Sequence, residues 1–194
     1  AALNESAQHR QFLQRRLRKA MEQEELTLHY QPVVDLAAQQ VVGHEALVRW
    51  QHPERGIVQP DHFIAIAEET GLIVPLGWWV LRESCRQTRR WQQQFPADPP
   101  LWISVNMSGK LFMKRGIVNR MTGILEETGL PAESLRLEVT ENVVLEHVET
   151  ALDNLNQLRG LGIQLSVDDF GTGYSSLSYL QRFHYDELKI DRSF

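Results

Sequence analysis

In five short segments of this 194-residue chain, polar side chains occupy alternate positions, so in a β-strand they would lie on one face. Because alternate residues of a strand face opposite sides, each side chain shares a face with its neighbours two positions away. Carboxylates and an amide that converge on one interior are oxygen ligands suited to hard divalent cations. The pattern predicts a metal-dependent enzyme that acts on phosphate. The residues and their same-face neighbours are Glu45 with Leu47 and Arg49, Asn106 with Ser104, Glu138 with Arg136, Asp168 with Ser166, and Lys189 with Asp191.

The opposite faces of these segments are apolar, as expected for strands covered by helices. The apolar residues are Ile103, Val105, Leu135, Leu137, Val139, Ile163, Leu165, Val167, Leu188 and Ile190.

The first two predicted strands lie close together in the chain. Residues 26–34 and 41–50 read as strands, and six residues, 35–40, connect them. A parallel crossover needs about a dozen residues or more, so we expect this first pair to be antiparallel.

Strands and helices then alternate to the end of the chain. We predict helices at 63–69, 77–95, 114–128, 147–161 and 175–183, and strands at 101–108, 135–141, 163–169 and 187–191. Repeated strand–helix units indicate a parallel sheet or barrel with right-handed crossovers. The polar strand ends favour an α/β barrel whose chemistry sits at the C-terminal ends of its strands. A charged helix at 9–25 precedes the first strand, and we interpret residues 1–25 as a linker or entry helix.

Two acidic residues end the predicted strand at 163–169, and a glycine-bearing turn follows them. A turn can bring Asp168 and Asp169 to one site, although neighbouring residues within a strand point apart. The alternative is helix capping by Asp in a tight turn. The Asp-Phe-Gly sequence does not indicate a kinase, because no glycine-rich nucleotide loop or His-Arg-Asp loop accompanies it.

Glu45 lies in a strand that must be buried in a barrel. A buried, unpaired carboxylate costs several kcal/mol, so Glu45 needs a cation or an arginine partner. The alternative to a metal is an internal ion pair with Arg49.

Composition limits the classes of function. A net charge of −5 argues against a non-specific nucleic-acid binder, so no DNA or RNA polymer is expected as a partner. The single cysteine, Cys85, excludes an internal disulfide and reads as a packing residue. The seven histidines lack zinc-ligand spacing. The sequence suggests neither a membrane span nor a signal peptide, so a cytoplasmic location is expected, with membrane attachment of a longer parent protein left open.

Several motifs in order resemble the EAL domains, bacterial phosphodiesterases that hydrolyse cyclic di-GMP. The resemblance runs from about residue 20 to the end of the chain. The motifs are Tyr30-Gln31-Pro32, Glu45-Ala46-Leu47-Val48-Arg49, Ser104-Val105-Asn106-Met107-Ser108, Leu137-Glu138-Val139-Thr140-Glu141, the run from Asp168 to Leu177, and Leu188-Lys189-Ile190-Asp191.

The resemblance implies a (β/α)8 TIM-like barrel with an antiparallel first strand over residues 26–194. It implies two Mg²⁺ or Mn²⁺ ions, which neutralise charge and activate water for hydrolysis to linear pGpG. The implied metal ligands are Glu45, Asn106, Glu138, Asp168 and Asp169, with Lys189 contacting the attacking water, so that Lys189, Glu45, Asp168 and Asp169 form the implied catalytic set. The implied substrate-binding residues are Gln31, Leu47, Arg49 and Asp191.

The same resemblance implies a loop that couples the site to a homodimer. Glu141 would brace this loop, which includes Phe170, Gly171 and Gly173. An upstream sensor or GGDEF domain is a further implied partner.

One departure from the family pattern concerns the end of the chain. The family's last two strands, which carry a further carboxylate ligand, find no counterpart before Phe194. We therefore expect six of the eight strands here, and little activity from these 194 residues by themselves. The alternatives are a catalytically silent EAL domain that binds cyclic di-GMP or a protein, and an unrelated metal-using barrel enzyme.

Overall fold

The computed structural model describes residues 14–140, 143, 148–170 and 185–190, without the side chains of residues 169 and 170. Residues 14–22 form helix α1. Leu17 and Ala20 on this helix are completely buried, so α1 is part of the packed structure. The part of the predicted helix before residue 14 lies outside the described residues, as do the helix predicted at 175–183 and the loop residues Glu141, Gly171 and Gly173.

The first strand pair is antiparallel, as predicted. Strand β1 (Leu26–Asp35) runs against β2 (Gln40–His52), with Leu26 opposite Trp50 and Gln31 opposite Glu45. Asp35 builds the connecting turn, because its Oδ1 accepts hydrogen bonds from the backbone N–H groups of Ala37 and Ala38 at 2.8 and 2.9 Å. A short strand that the sequence analysis missed, β3 (Gly56–Val58), pairs with the end of β2.

Helices α2 (Ile64–Thr70) and α3 (Ile73–Gln94) follow. Gly71 has a left-handed conformation with φ of 75° and ends α2. Helix α3 begins four residues before the predicted start at Gly77. Pro75 lies in the first turn of α3, where its missing N–H has no helical partner to lose.

Parallel strands and helices alternate through the rest of the described chain. The elements are β4 (Trp102–Asn106), α4 (Gly109–Phe112), α5 (Ile117–Thr128), β5 (Leu135–Thr140), α6 (Val148–Gly160), β6 (Gln164–Phe170) and β7 (Glu187–Ile190). Gly129, with φ of 68°, ends α5 as the sequence predicted. The short helix α4 was not predicted, and the Ser108 side chain caps it by accepting a hydrogen bond from the Leu111 N–H.

The sheet has the strand order β1-β2-β4-β5-β6-β7, and every neighbouring pair after β1–β2 is parallel. This is the topology of a TIM-like (β/α)8 barrel with an antiparallel first strand. The predicted apolar faces of β4, β5 and β6 are buried, and Ile103, Leu137 and Val167 are completely shielded from solvent. On β7, Leu188 and Ile190 are 48% and 74% exposed.

Candidate active site

The polar residues that were predicted to share one strand face come together around the amine of Lys189. The Nζ atom of Lys189 lies 2.6 Å from Oε2 of Glu138, 3.2 Å from Oε2 of Glu45 and 3.6 Å from Oδ1 of Asp168. Asn106 joins the group because its Nδ2 donates to Oε1 of Glu45 at 2.8 Å. Residues from β2, β4, β5, β6 and β7 therefore meet inside the sheet.

Strand pairing accounts for this convergence. Asn106 pairs with Glu138 across β4 and β5, and Glu45 pairs with Ser104 across β2 and β4. The C-terminal ends of parallel strands lie at the same edge of a sheet. Polar residues near the C-terminal ends of the parallel-paired segments therefore collect on one rim.

The pairing between β6 and β7 is irregular at the two adjacent aspartates. Val167 pairs with Leu188, but the next pair is Phe170 with Ile190, which leaves one extra residue in β6. An extra residue of this kind re-aims side chains and is frequent next to active sites. Strand β6 continues to Phe170, so it does not end in a turn at the two aspartates as predicted, and the irregular pairing lies at these two residues. The side chain of Asp169 lies outside the described part of the chain.

Glu138 is the most deeply buried carboxylate of the group, with 4% of its side chain exposed. Burial raises the pKa of Glu138, and the neighbouring Glu45 charge raises it further, while the hydrogen bond from Lys189 acts in the opposite direction. Burial by itself would lower the pKa of Lys189. The hydrogen bond to Glu138 and the surrounding carboxylate charges outweigh it and raise that pKa.

Glu45 forms its contacts with Asn106 and Lys189. The Arg49 guanidinium instead donates to the carbonyl oxygen of Val48 at 2.8 Å. Arg49 remains on the same strand face as Glu45, four residues towards the end of β2. Asn106 and Lys189 therefore supply the partners that a buried Glu45 requires. The alternative, an ion pair between Glu45 and Arg49, is not formed.

The predicted substrate-binding residues border this group. Gln31 is exposed and lies opposite Glu45 in the β1–β2 pair. Leu47 lines a cavity of about 260 Å³ together with Asn106 and Glu138. The remaining walls of that cavity are mostly apolar and come from β2, Pro60, α2, α3 and the ends of β4 and β5. Asp191 lies outside the described residues.

The donor set fits divalent cations. Three carboxylates and one amide supply oxygen atoms, the donors that Mg²⁺ and Mn²⁺ prefer. Glu138 is buried beside two further carboxylates, and such a cluster requires positive charge nearby. In the described part of the chain no group of three or more acidic, histidine or cysteine side chains has a metal-binding arrangement as it stands. Here the carboxylates face the Lys189 amine.

A second set of inward-facing residues, whose contacts the sequence did not predict, lies below this group. Arg136 Nη1 lies 2.8 Å from Oε2 of Glu187, and the Arg136 guanidinium carbon lies 3.5 Å from the centroid of the Trp102 ring. The sequence shows that Arg136 shares a strand face with Glu138. It does not show the partners of Arg136, because Trp102 and Glu187 lie 34 and 51 positions away and only the folded sheet brings them together.

Comparison with known proteins assigns this chain to a family. The EAL domain model matches residues 14–194, so the chain belongs to the EAL domain family. A bifunctional diguanylate cyclase/cyclic di-GMP phosphodiesterase, MucR of Pseudomonas aeruginosa, is 45% identical over 195 residues, covering 100% of this chain and 28% of MucR. The cyclic di-GMP phosphodiesterase NbdA of the same organism is 43% identical, covering 94% of this chain and 23% of NbdA.

Solved structures agree with this assignment. The PaMucR phosphodiesterase in complex with c-di-GMP has a TM-score of 0.88 and 44% identity, over 93% of this chain and 72% of the other. The EAL enzyme Bd1971, in a form bound to cAMP and cyclic-di-GMP, has a TM-score of 0.91 and 36% identity, over 97% of this chain and 51% of the other. The chain spans about a quarter of the length of MucR and of NbdA.

None of the described helices is long and apolar enough to cross a membrane.

Proposed function

We propose that this chain is part of an enzyme that hydrolyses cyclic di-GMP to linear pGpG. The convergence of Glu45, Asn106, Glu138 and Asp168 around Lys189 is the observation that carries the proposal. The similarity to relatives described as cyclic di-GMP phosphodiesterases supplies the substrate.

Two divalent cations, Mg²⁺ or Mn²⁺, are the proposed cofactors. Glu45, Asn106, Glu138, Asp168 and Asp169 would hold them, because these residues supply the oxygen donors at the rim. When bound, such cations neutralise phosphoryl charge and activate the attacking water.

The chain's own residues have separate roles in the proposed reaction. The reaction joins a water oxygen to one phosphorus, breaks the bond from that phosphorus to the ribose 3′-oxygen, and leaves a proton on the departing oxygen. Lys189 can donate up to three hydrogen bonds, and we assign it the placement of the attacking water. Arg49 would bind a phosphate, since a guanidinium offers two parallel donors to phosphate oxygens. Gln31 and Leu47 border the place where the rest of the ligand would lie, and Asp191 is assigned to the ligand with them.

Three further predictions remain proposals. The first is a homodimer coupled to the site by the loop that includes Phe170, Gly171 and Gly173 and that Glu141 braces. The second is an upstream sensor or GGDEF domain, and the third is a cytoplasmic location. MucR, which is described as bifunctional, supports the second of them. The division of the chain at residue 26 also stays a prediction, although buried residues of α1 join that helix to the barrel.

The test compares the full-length protein with its Glu45→Gln variant. We expect cyclic di-GMP and Mn²⁺ to yield pGpG with the unaltered protein. The variant should lose roughly 10²- to 10³-fold in kcat, the loss typical of removing one charge-stabilising group from an active site. Chromatography of the nucleotide products measures both.

A second measurement separates metal binding from turnover. Titration of Mn²⁺ without substrate, followed by electron paramagnetic resonance, should show weaker binding by Glu45→Gln than by the unaltered protein. Glu127→Gln is the matched control, because Glu127 pairs with Arg82 on the outer helices. Near-normal turnover by Glu45→Gln would contradict the proposal. Binding of cyclic di-GMP without hydrolysis by the unaltered protein would favour the receptor function instead.

A further inference from the structure

A second layer of inward-facing side chains lies directly beneath the site. Each member precedes an inward-facing residue of the site end by two positions on the same strand. We call the set formed by Gly43, Trp102, Arg136 and Glu187 the lower layer. Gly43 precedes Glu45, Trp102 precedes Ser104, Arg136 precedes Glu138, and Glu187 precedes Lys189.

Arg136 is held from two sides within the lower layer. Its Nη1 atom lies 2.8 Å from Oε2 of Glu187, and its guanidinium carbon lies 3.5 Å from the Trp102 ring centroid. The ring itself has no room to move towards β2, because it packs so closely on Gly43 that a Cβ atom there would overlap Trp102 Cδ2. The position of the Arg136 charge is therefore fixed by close packing.

The two layers carry ion pairs of opposite direction between the same two strands. In the site itself, which lies above the lower layer, β5 supplies the acid, Glu138, and β7 supplies the base, Lys189. In the lower layer β5 supplies the base, Arg136, and β7 supplies the acid, Glu187. Along each strand the two charges therefore alternate in sign.

This alternation discriminates against a shift of β7 by two residues. A shift by one residue turns the side chains to the other face, so two residues is the smallest shift that keeps the face. A two-residue shift would bring Lys189 opposite Arg136, or Glu187 opposite Glu138. Either arrangement opposes like charges, which destabilises a sheet.

Backbone pairing constrains β7 less at the level of the site. Val167 pairs with Leu188, but the register between β6 and β7 shifts between Val167 and Phe170, next to Lys189. The charged side chains of β7 are therefore placed to fix its position there.

We propose that Arg136 and Glu187 are positioning residues that set the register of β7 and so place the Lys189 amine among the site carboxylates. A two-residue shift would move Lys189 by about 6.6 Å, since a strand rises ~3.3 Å per residue, and would take the amine out of the site. This role rests on the proposed hydrolysis for its effect on turnover, but not for its effect on β7.

The pair's effect on overall stability is expected to be small. The side chains of Arg136 and Glu187 are 21% and 43% exposed, and exposed ion pairs contribute little to the free energy of unfolding. Variants of the pair should therefore fold, which allows register to be measured directly.

The test uses three variants of the full-length protein: Arg136→Gln, Glu187→Gln, and the charge exchange Arg136→Glu/Glu187→Arg. The charge exchange keeps an ion pair in the native register, but it also makes both shifted registers attractive. If the pair sets the register of β7, the backbone amides of β7 should exchange hydrogen fastest in the double variant with swapped charges and slowest in the unaltered protein. We expect an increase of roughly three- to tenfold in the exchange rate of residues 187–190, measured by mass spectrometry without added metal or substrate.

The kinetic readout has the same direction. All three variants should lose kcat with little change in KM, and the charge exchange should lose the most. Arg82→Gln is the matched control, because it breaks an exposed ion pair of 2.9 Å between α3 and α5. It should leave β7 exchange and kcat unchanged.

The proposal would be overturned if the β7 amides of the double variant exchanged hydrogen as slowly as those of the unaltered protein, because the ion pair would then act only as a local bond. Unchanged β7 exchange in the single variants would overturn it as well. Absence of hydrolysis by the unaltered protein would contradict the proposed function, and the order of β7 exchange rates would still decide the role of Arg136 and Glu187.

Discussion

The amine of Lys189 lies 2.6 Å from a carboxylate oxygen of Glu138, and this pair joins β7 to β5 across the intervening strand β6. The two partners differ in exposure, since 30% of the Lys189 side chain and 4% of the Glu138 side chain reach solvent. Removing one partner should therefore have a different effect from removing the other.

Lys189→Met should lower the free energy of unfolding by about 3 kcal/mol, because it leaves the Glu138 carboxylate buried without its closest cation. Glu138→Gln should cost less, since the partly exposed Lys189 keeps Glu45 and Asp168 as neighbours. Urea unfolding in the presence of a chelator measures both losses. Equal losses in the two variants would contradict this asymmetry.

Arg49→Ala should weaken substrate binding more than it slows the chemical step. Arg49 lies on the face of Glu45, but its guanidinium donates to the Val48 carbonyl, outside the carboxylate group. We expect KM for cyclic di-GMP to rise roughly tenfold or more, in line with loss of a charged hydrogen bond, with a smaller change in kcat. Arg49→Lys should recover only part of the affinity, because lysine cannot form two parallel hydrogen bonds to phosphate. A variant that loses kcat alone would assign Arg49 to the reacting group instead.

Gly43→Ala should destabilise the fold, because the new Cβ would overlap the Trp102 ring. Overpacking of this kind costs about 1–3 kcal/mol. Gly123→Ala is the matched control. Gly123 lies within α5, and a Cβ atom added there would have no atom within 4 Å, so alanine should stabilise the helix by up to ~1 kcal/mol. Thermal unfolding of both variants checks the opposite signs.

Cys85 should resist alkylation until the protein unfolds. The side chain is completely buried, and burial raises the pKa of the Cys85 thiol to about 12 from the usual 9.0. Since the thiolate is the reactive form, iodoacetamide should label the native protein at pH 9 roughly a hundredfold more slowly than the urea-unfolded chain. Mass spectrometry of the peptide that contains Cys85 measures the rate.

The same pKa shift gives stability a pH dependence. The folded state holds the thiol proton more tightly than the unfolded state does. The contribution of Cys85 to stability is therefore fully present below pH 9 and is lost as the pH rises from there towards 12. Replacing Cys85 with alanine should flatten the fall in stability over this range, apart from the constant loss caused by the cavity. An unchanged slope would contradict the assignment.

Period-two patterns in the sequence predicted the inner face of the sheet because they are local. Glu45, Glu138 and Lys189 could each be placed on an inward face from their own strand. The short strand β3 was missed, since three residues are too few to show alternation.

The lower layer shows the other limit of prediction from sequence. Arg136 and Glu187 are ordinary charged residues in separate segments, and Gly43 and Trp102 have no local signal that links them. Their contacts depend on the stagger between strands, and a local pattern does not contain that stagger.

The reversed direction of β1 has a consequence for how the chain reaches the barrel. In an all-parallel barrel the first strand starts at the end opposite the catalytic rim. Here Leu26 pairs with Trp50 near the end of β2, and Glu25 accepts a hydrogen bond from the Trp50 indole at 3.0 Å and pairs with Arg16 of α1. Helix α1 is therefore anchored at the end of the sheet that carries the candidate site, five residues beyond Glu45 on β2, and not at the opposite end.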